Sequence, residues 1–209
     1  MIDVESWLRA GGIALLGAIV FAESGLLIGF FLPGDSLLFV AGFLSSPAGG
    51  RLLPPLPVVA AVAVVAAIAG DQVGYLIGRR AGPALFRRPE RRLFNPANAV
   101  RARSFFERHG ARAIVLARFV PIVRTFTPVV AGVGEMPYRT FVTFNVIGGA
   151  LWGAGVVTLG HVLGRVGWIE RNLEVAAVVV VALSLLPIVV EHLRARRAGA
   201  NPAAADADA

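Results

Sequence analysis

The stretch ESGLLIGFFLPGD, residues 23–35, has two carboxylates, Glu23 and Asp35, at the ends of an otherwise uncharged and largely apolar segment. Pro33 and Gly34 stand directly before the second acid. Proline removes a helix hydrogen bond and glycine permits a turn, so this pair predicts a break between two apolar arms. The fold must therefore hold two acids beside a broken apolar helix.

The lengths of the two arms predict how they meet a membrane. The second arm, residues 36–46, is shorter than the roughly 20 residues that a helix needs to cross the hydrocarbon. We expect a re-entrant helical hairpin over about 13–46, although the first arm, residues 12–32, is itself long enough to span.

Composition places these arms in a membrane protein. The chain has 209 residues, of which 56% are hydrophobic and 16% charged, and its mean hydropathy is +0.73. These values lie outside the range of soluble globular domains. Apolar stretches recur at about 13–46, 56–78, 113–134, 140–163 and 173–190.

A second segment repeats the design of the first. Residues 113–134 contain two apolar arms around Pro121 and Pro128, with Arg118 and Arg124 near the break. This pattern predicts a second re-entrant hairpin.

Two pairs of matching sequences support an internal repeat. FLPGDSLLFVAG, residues 31–42, resembles FVPIVRTFTPVVAG, residues 119–132, and GYLIGR at 74–79 resembles GHVLGR at 160–165. Inverted repeats with broken helices are typical of transporters.

The predicted fold is an all-α polytopic membrane protein. It has two inverted repeats, each a re-entrant helical hairpin followed by a transmembrane helix, plus a C-terminal transmembrane helix. We expect an interfacial helix over 1–11, a membrane domain over 12–190, and a tail over 191–209 that is first basic and then disordered.

The charge distribution predicts orientation. The net charge is +7, every basic residue is arginine, and half of the arginines lie within 79–112. The positive-inside rule makes this basic loop cytoplasmic, and the C-terminus after the last helix is then cytoplasmic too. The basic excess suits anionic lipid rather than nucleic acid, because no nucleic-acid recognition motif accompanies it.

Four residues are the candidate substrate and proton site: Glu23, Asp35, Arg118 and Arg124. Ionised groups at membrane depth are costly, so they pair or face a wet cavity. A pair of guanidinium groups can bind a phosphate, and protonation of a carboxylate would release an arginine for it. The alternative is two structural salt bridges that neutralise buried charge.

Other residues near this site are assigned a supporting or a packing role. Asp71 fits a relay acid and a structural hydrogen bond equally well. Trp152, with the neighbouring Gly148, Gly149 and Gly153, is interpreted as packing. His109 and His161 are isolated, so no metal site is predicted. The candidate supporting residues are Asp71, Tyr75, Pro33, Gly34 and Pro121.

Together, these segments resemble the DedA family, which is related to the SNARE-associated Golgi or VTT-domain proteins. The matching pieces are Glu23-Ser24-Gly25 with Pro33-Gly34-Asp35, GDQVGYLIGRRAG at 70–82 and ARFVPIVRTFTPVVAG at 117–132. The resemblance implies a multi-pass protein of the bacterial inner (plasma) membrane with two re-entrant hairpins. Its acidic and arginine pairs match the four candidate residues, although Asp35 stands where the family most often has glutamate.

The resemblance also implies a function in lipid transport. We expect a flippase or scramblase, driven by the proton-motive force, that moves undecaprenyl phosphate or phospholipid. Its partners would be an anionic lipid and the bilayer, and a homo-oligomer is compatible with the sequence. A proton-coupled small-ion or drug antiporter and a non-transporting scaffold are the alternatives. No enzymatic activity and no cofactor are expected, because the apolar segments lack the nucleophile and base of a lipid phosphatase.

Overall fold

Every element that the structure describes is helical. The structure is a computed structural model and describes residues 4–26, 34–85, 104, 106, 110 and 112–164. No strand occurs within these ranges. The helices are α1 (Val4–Gly25), α2 (Gly34–Leu44), α3 (Leu56–Leu85), α4 (Arg112–Ala117), α5 (Pro121–Val133) and α6 (Tyr138–Leu163).

Two of these helices are long and apolar enough to cross a membrane. The candidate spans are Leu56–Arg80 within α3 and Tyr138–Leu163, which is the whole of α6. Shorter apolar helices cover Gly11–Gly25, Gly34–Leu44 and Val123–Val133. The predicted last span, residues 173–190, and the tail lie outside the described residues.

Breaks in the helices fall at glycine and proline. Gly12 has φ 57° and ψ −149°, so α1 is kinked there. α1 then ends at Gly25, before the predicted end of this arm at 32. Pro33 and most of the segment before it lie outside the described residues, and α2 begins at Gly34.

The second proline-containing segment breaks beside the first of its two prolines and not at the second. A turn at residues 118–120 separates α4 from α5. Pro121 opens α5, where its missing N–H is not needed. Pro128 lies inside α5 rather than at a break. It cannot donate to the carbonyl of Arg124 four residues earlier, so that helix hydrogen bond is absent.

The long helices α3 and α6 run antiparallel at the centre of the packing. α3 packs against α1, α5 and α6, and α6 also packs against α2. Tyr75, late in α3, lies 5.8 Å from Tyr138 at the start of α6, measured between ring centroids. At the other end, His161 of α6 lies beside Ser45, just before the loop that leads into α3. We call these the Tyr75 end and the Ser45 end.

Glycines allow two helix pairs to meet backbone to backbone. Between α2 and α6, a side chain at Gly42 would collide with the carbonyl of Val157, and one at Gly160 with the carbonyl of Phe39. The contact requires glycine because the backbones leave no room for a Cβ.

The same reciprocal contact occurs between α5 and α3. A side chain at Gly132 would collide with the carbonyl of Tyr75, and one at Gly78 with the carbonyl of Val129. Gly78 on α3 thus occupies the position in this contact that Gly160 occupies in the other. The sequence match of GYLIGR with GHVLGR instead aligns Gly160 with Gly74, which lies one helical turn before Gly78.

Several large apolar side chains are exposed on the outside of this packing, whereas four charged side chains are buried inside it. Leu116 is 68% exposed, Val65 65% and Leu151 56%. By contrast, Glu23 and Arg118 are each only 4% exposed. Water around the protein would favour exposed charges and buried apolar side chains, whereas surrounding lipid favours the arrangement observed.

Candidate functional site

Two of the buried polar residues, Asp71 and Asn145, lie well inside the two long helices. Asp71 is 15 residues after the start of α3, and Asn145 is seven residues after the start of α6. At 1.5 Å per residue these positions lie roughly 22 Å and 10 Å from the respective helix ends. An ionised group at such depth is stable only with partners.

Arg124 of α5 binds the two acids of the opening sequence motif. Its Nη1 donates to Asp35 Oδ1 at 2.6 Å, and its Nη2 donates to Glu23 Oε1. The guanidinium carbon lies 4.5 Å from the ring centroid of Trp152, a cation–π distance. The indole Nε1 of Trp152 donates to Asp35 Oδ1 at 2.9 Å. One arginine thus joins α1, α2 and α6.

Arg118 forms a third ion pair, nearer the start of α6. Its Nη2 donates to Asp71 Oδ2 and to Asn145 Oδ1. The amide Nδ2 of Asn145 donates to the carbonyl of Ile68 at 3.3 Å. Arg118 therefore links the turn after α4 to α3 and α6.

The structure places Arg118 against the backbone of α6 through two glycines. A Cβ at Gly148 would lie 3.1 Å from Arg118 Cδ, and a Cβ at Gly149 would lie 3.6 Å from its Cζ. Larger residues would push the guanidinium away from Asn145. The glycine run that the sequence suggested for packing thus makes room for a charged side chain.

The three ion pairs form one central cluster. Asn145 and Trp152, seven residues apart on α6, mark its two halves, roughly 10 Å apart along the helix axis. The cluster contains three carboxylates, from Glu23, Asp35 and Asp71, and two guanidinium groups. With all groups ionised it carries one negative charge.

Two buried polar atoms of this cluster have no hydrogen-bond partner among the described residues. They are Glu23 Oε2 and Arg118 Nε. Glu23 Oε2 lies against Gly34, where a side chain would overlap the carboxylate. Gly34 thus contributes to the site because it has no side chain that would displace this carboxylate.

The remaining supporting residues lie elsewhere. Tyr75 lies at the Tyr75 end of the helices. Its hydroxyl donates to the Met136 carbonyl at 2.6 Å and accepts from Arg79 Nη1 at 2.8 Å. Its ring stacks on Phe141 at 4.4 Å. Pro121 opens α5, and Pro33 lies outside the described residues. Asp71 is a direct ion-pair partner of Arg118.

Sequence reasoning missed two members of the cluster. Trp152 was interpreted as packing, yet it touches both Arg124 and Asp35. Asn145 was not singled out. The sequence feature that could have identified Asn145 is an amide side chain within an apolar span, where a polar group needs a partner.

Comparison with known proteins identifies the family. The model of the VTT domain matches residues 32–162. The chain is 45% identical over 190 residues to the protein DedA of Escherichia coli, covering 91% of this chain and 86% of that protein. The chain belongs to the DedA family of VTT-domain proteins.

A mycobacterial relative extends the match to the full length. An uncharacterised membrane protein of Mycobacterium tuberculosis is 44% identical over 217 residues, covering all of this chain and 93% of the relative. No solved structure matches. The mycobacterial relative is named as a membrane protein, and large apolar side chains are exposed on this chain. This DedA-family chain is therefore a membrane protein.

Proposed function

We propose that this DedA-family protein is a proton-coupled flippase or scramblase for a phosphate-bearing lipid, such as undecaprenyl phosphate or a phospholipid. The observation that carries the proposal is Arg124, which is held between two buried carboxylates. A guanidinium in this position can exchange a carboxylate for a phosphate, since both are recognised by the same planar fork.

The charge of the central cluster supports proton coupling. Three carboxylates face two guanidinium groups, so one bound proton makes the cluster neutral. Glu23 is the group we assign to this proton, because its Oε2 lacks a partner among the described residues. Protonated Glu23 binds Arg124 less strongly, and the released N–H groups then face an incoming phosphate. Proton binding and phosphate binding thus favour each other.

The helix packing supports an architecture of two inverted repeats with re-entrant hairpins. The contact of α2 with α6 and that of α5 with α3 use glycines in the same reciprocal way. In this proposal each short pair, α1 with α2 and α4 with α5, is a hairpin whose break lies at membrane depth. Such breaks are tolerated where the backbone is buried in protein or lines a cavity.

We further propose the inner membrane as the location, with the basic segment 79–112 and the C-terminus on the cytoplasmic side. The Tyr75 end of the helices then faces the cytoplasm and the Ser45 end faces outward. In this proposal the protein transports without catalysing a reaction and uses no cofactor other than the proton.

The proposal is tested by reconstituting the full chain into phosphatidylcholine liposomes. The liposomes carry a trace of fluorescent phosphatidic acid or, in separate preparations, fluorescent undecaprenyl phosphate. A membrane-impermeant reductant bleaches the label in the outer leaflet and so reports its movement. We expect the parental chain to speed this movement roughly tenfold over empty liposomes, and an imposed pH gradient to change the rate.

Two variants test the residues. Glu23→Gln removes the titrating group, so its rate should not respond to the pH gradient. Arg118→Ala removes the partner of Asp71 and should slow transport. Arg139→Gln, at an exposed position outside the central cluster, is the matched control. If both variants elute as folded protein and move lipid at the parental rate, the proposed site is wrong.

The same liposomes separate the two alternative functions. A small-ion or drug antiporter would dissipate a pH gradient without moving labelled lipid. A scaffold would do neither, and Arg118→Ala would then change the unfolding temperature alone.

A further inference from the structure

We propose that a cavity at the Ser45 end is a second anion site, separate from the central cluster, that takes the phosphate of a lipid headgroup. The cavity has a volume of about 810 Å³. Its polar lining comes from Ser45, Arg51 and His161, and its apolar lining from the leucines and prolines of the loop 47–56. It combines a cation with an apolar rim, as an amphipathic anion requires.

Arg51 gives this cavity a positive charge. Arg51 is the only charged residue of the sequence between Asp35 and Asp71. Its side chain is exposed, and among the described residues no carboxylate forms an ion pair with it. Within the described part of the chain, the Arg51 guanidinium is therefore available to bind phosphate.

The loop backbone holds Arg51 in a costly conformation. Its φ is 53°, in the left-handed region that favours glycine, so the backbone is strained there. Backbone hydrogen bonds keep it there: Arg51 N–H donates to the Ser46 carbonyl at 3.1 Å, and Leu53 N–H to the Leu44 carbonyl at 3.3 Å. The loop thus fixes where the arginine lies.

His161 offers a second polar atom to the same cavity. The Ser45 hydroxyl donates its one proton to the Gly42 carbonyl at 2.7 Å. The contact of 3.0 Å between Ser45 Oγ and His161 Nδ1 therefore has the histidine as donor. This assigns the ring proton to Nδ1, and Nε2 takes no part in the contact with Ser45. His161 thus adds a polar ring to the lining alongside Arg51.

The apolar lining decides between a lipid and a free anion. Leu52 is 48% exposed at the rim, next to Arg51. An acyl chain would cover this leucine, whereas inorganic phosphate would leave it exposed. Asp35, at the start of α2, lies ten residues before Ser45, so the cavity is roughly 15 Å along this helix from the central cluster.

Binding to the full chain in a nonionic detergent tests the proposal. Titration calorimetry compares dioctanoyl phosphatidic acid, inorganic phosphate and dioctanoyl phosphatidylcholine. We expect phosphatidic acid to bind more tightly than the other two. Arg51→Asn keeps a residue that tolerates positive φ but removes the charge, and should weaken phosphatidic acid binding roughly tenfold.

Three further variants control this result. Arg51→Lys should keep most of the affinity. His161→Gln, which can still donate to Ser45, should lose a smaller factor than Arg51→Asn. Arg80→Gln removes an exposed arginine beyond the Tyr75 end and should bind phosphatidic acid as the parent does.

Equal affinity of the parent and Arg51→Asn for phosphatidic acid would overturn the site. Inorganic phosphate bound as tightly as phosphatidic acid would overturn the assignment to a lipid, and so would phosphatidylcholine bound equally well. No lipid crosses a bilayer in this measurement, and Arg51 lies outside the central cluster. A failure here is therefore distinct from a failure of the transport assay.

Discussion

Arg124 lies over the indole ring of Trp152, which also donates a hydrogen bond to Asp35, a carboxylate that the same arginine binds. The tryptophan thus orients both members of an ion pair. Orientation matters at membrane depth, because a buried ion pair stabilises only when its geometry is good and its other lone pairs are satisfied.

The two roles of Trp152 can be separated. Trp152→Phe keeps a ring beneath Arg124 but loses the indole N–H, whereas Trp152→Leu loses both. We expect Trp152→Phe to lower the free energy of unfolding by about 1.5–3 kcal/mol, the range for a hydrogen bond to a charged group, and Trp152→Leu to lower it further. Thermal unfolding in detergent measures this. Equal stability of the two variants would contradict the cation–π role, and Leu151→Phe at the exposed neighbour is the control.

The pair of Arg118 and Asp71 predicts a non-additive result. Asp71→Asn leaves a buried guanidinium without its carboxylate, and should lower the free energy of unfolding by about 3–5 kcal/mol. The double variant Asp71→Asn with Arg118→Gln removes both charges and should be more stable than Asp71→Asn alone. A double-mutant cycle measures the coupling. If the two losses simply add, the two residues do not form an ion pair.

The close contact of Gly34 with Glu23 predicts that one added methyl group changes proton-coupled transport. Gly34→Ala places a Cβ against the Glu23 carboxylate, so the acid must leave its position beside Arg124. We expect lipid transport to lose its response to a pH gradient, as for Glu23→Gln. The matched control is Gly155→Ala on α6, where a Cβ meets nothing within 4 Å. That change should raise stability by about 0.5–1 kcal/mol, because alanine favours the helix. Unchanged coupling in Gly34→Ala would contradict the placement of Glu23.

The reciprocal glycine contacts predict a matched pair of losses. Gly160→Ala and Gly78→Ala each put a Cβ into a backbone carbonyl of the facing helix. Overpacking of this kind costs about 1–3 kcal/mol. We expect both variants to unfold at lower temperature than the parent, by similar amounts, while Gly155→Ala does not. A loss in only one of them would show that the two contacts are not equivalent.

Sequence reasoning found the charged residues but not all of their partners. Glu23, Asp35, Arg118 and Arg124 were selected because charge in an apolar segment is costly. Their partners depend on helix packing: Arg124 reaches Asp35 across 89 residues and Glu23 across 101. The balance of two acids with two arginines was incomplete, because Asp71 adds a third carboxylate.

The helical class and the breaks were also predictable from local chemistry. Proline and glycine predicted interruptions in both apolar segments, and the structure has a helix boundary at Gly34 and another at Pro121. Pro128 did not end a helix, since its effect inside α5 is one missing hydrogen bond. The one-turn shift between Gly74 and Gly78 escaped sequence matching because both glycines lie on the same helix face.

The isolation of Arg51 has a practical consequence for topology. No other lysine or arginine lies between Arg9 and Arg79, so trypsin has a single cleavage point in this whole region. That point is exposed in a loop and is followed by leucine rather than proline. Protease added to sealed right-side-out or inverted vesicles would cut there from one side alone. The fragment pattern would then report which face of the membrane the Ser45 end occupies, without a tag or a label.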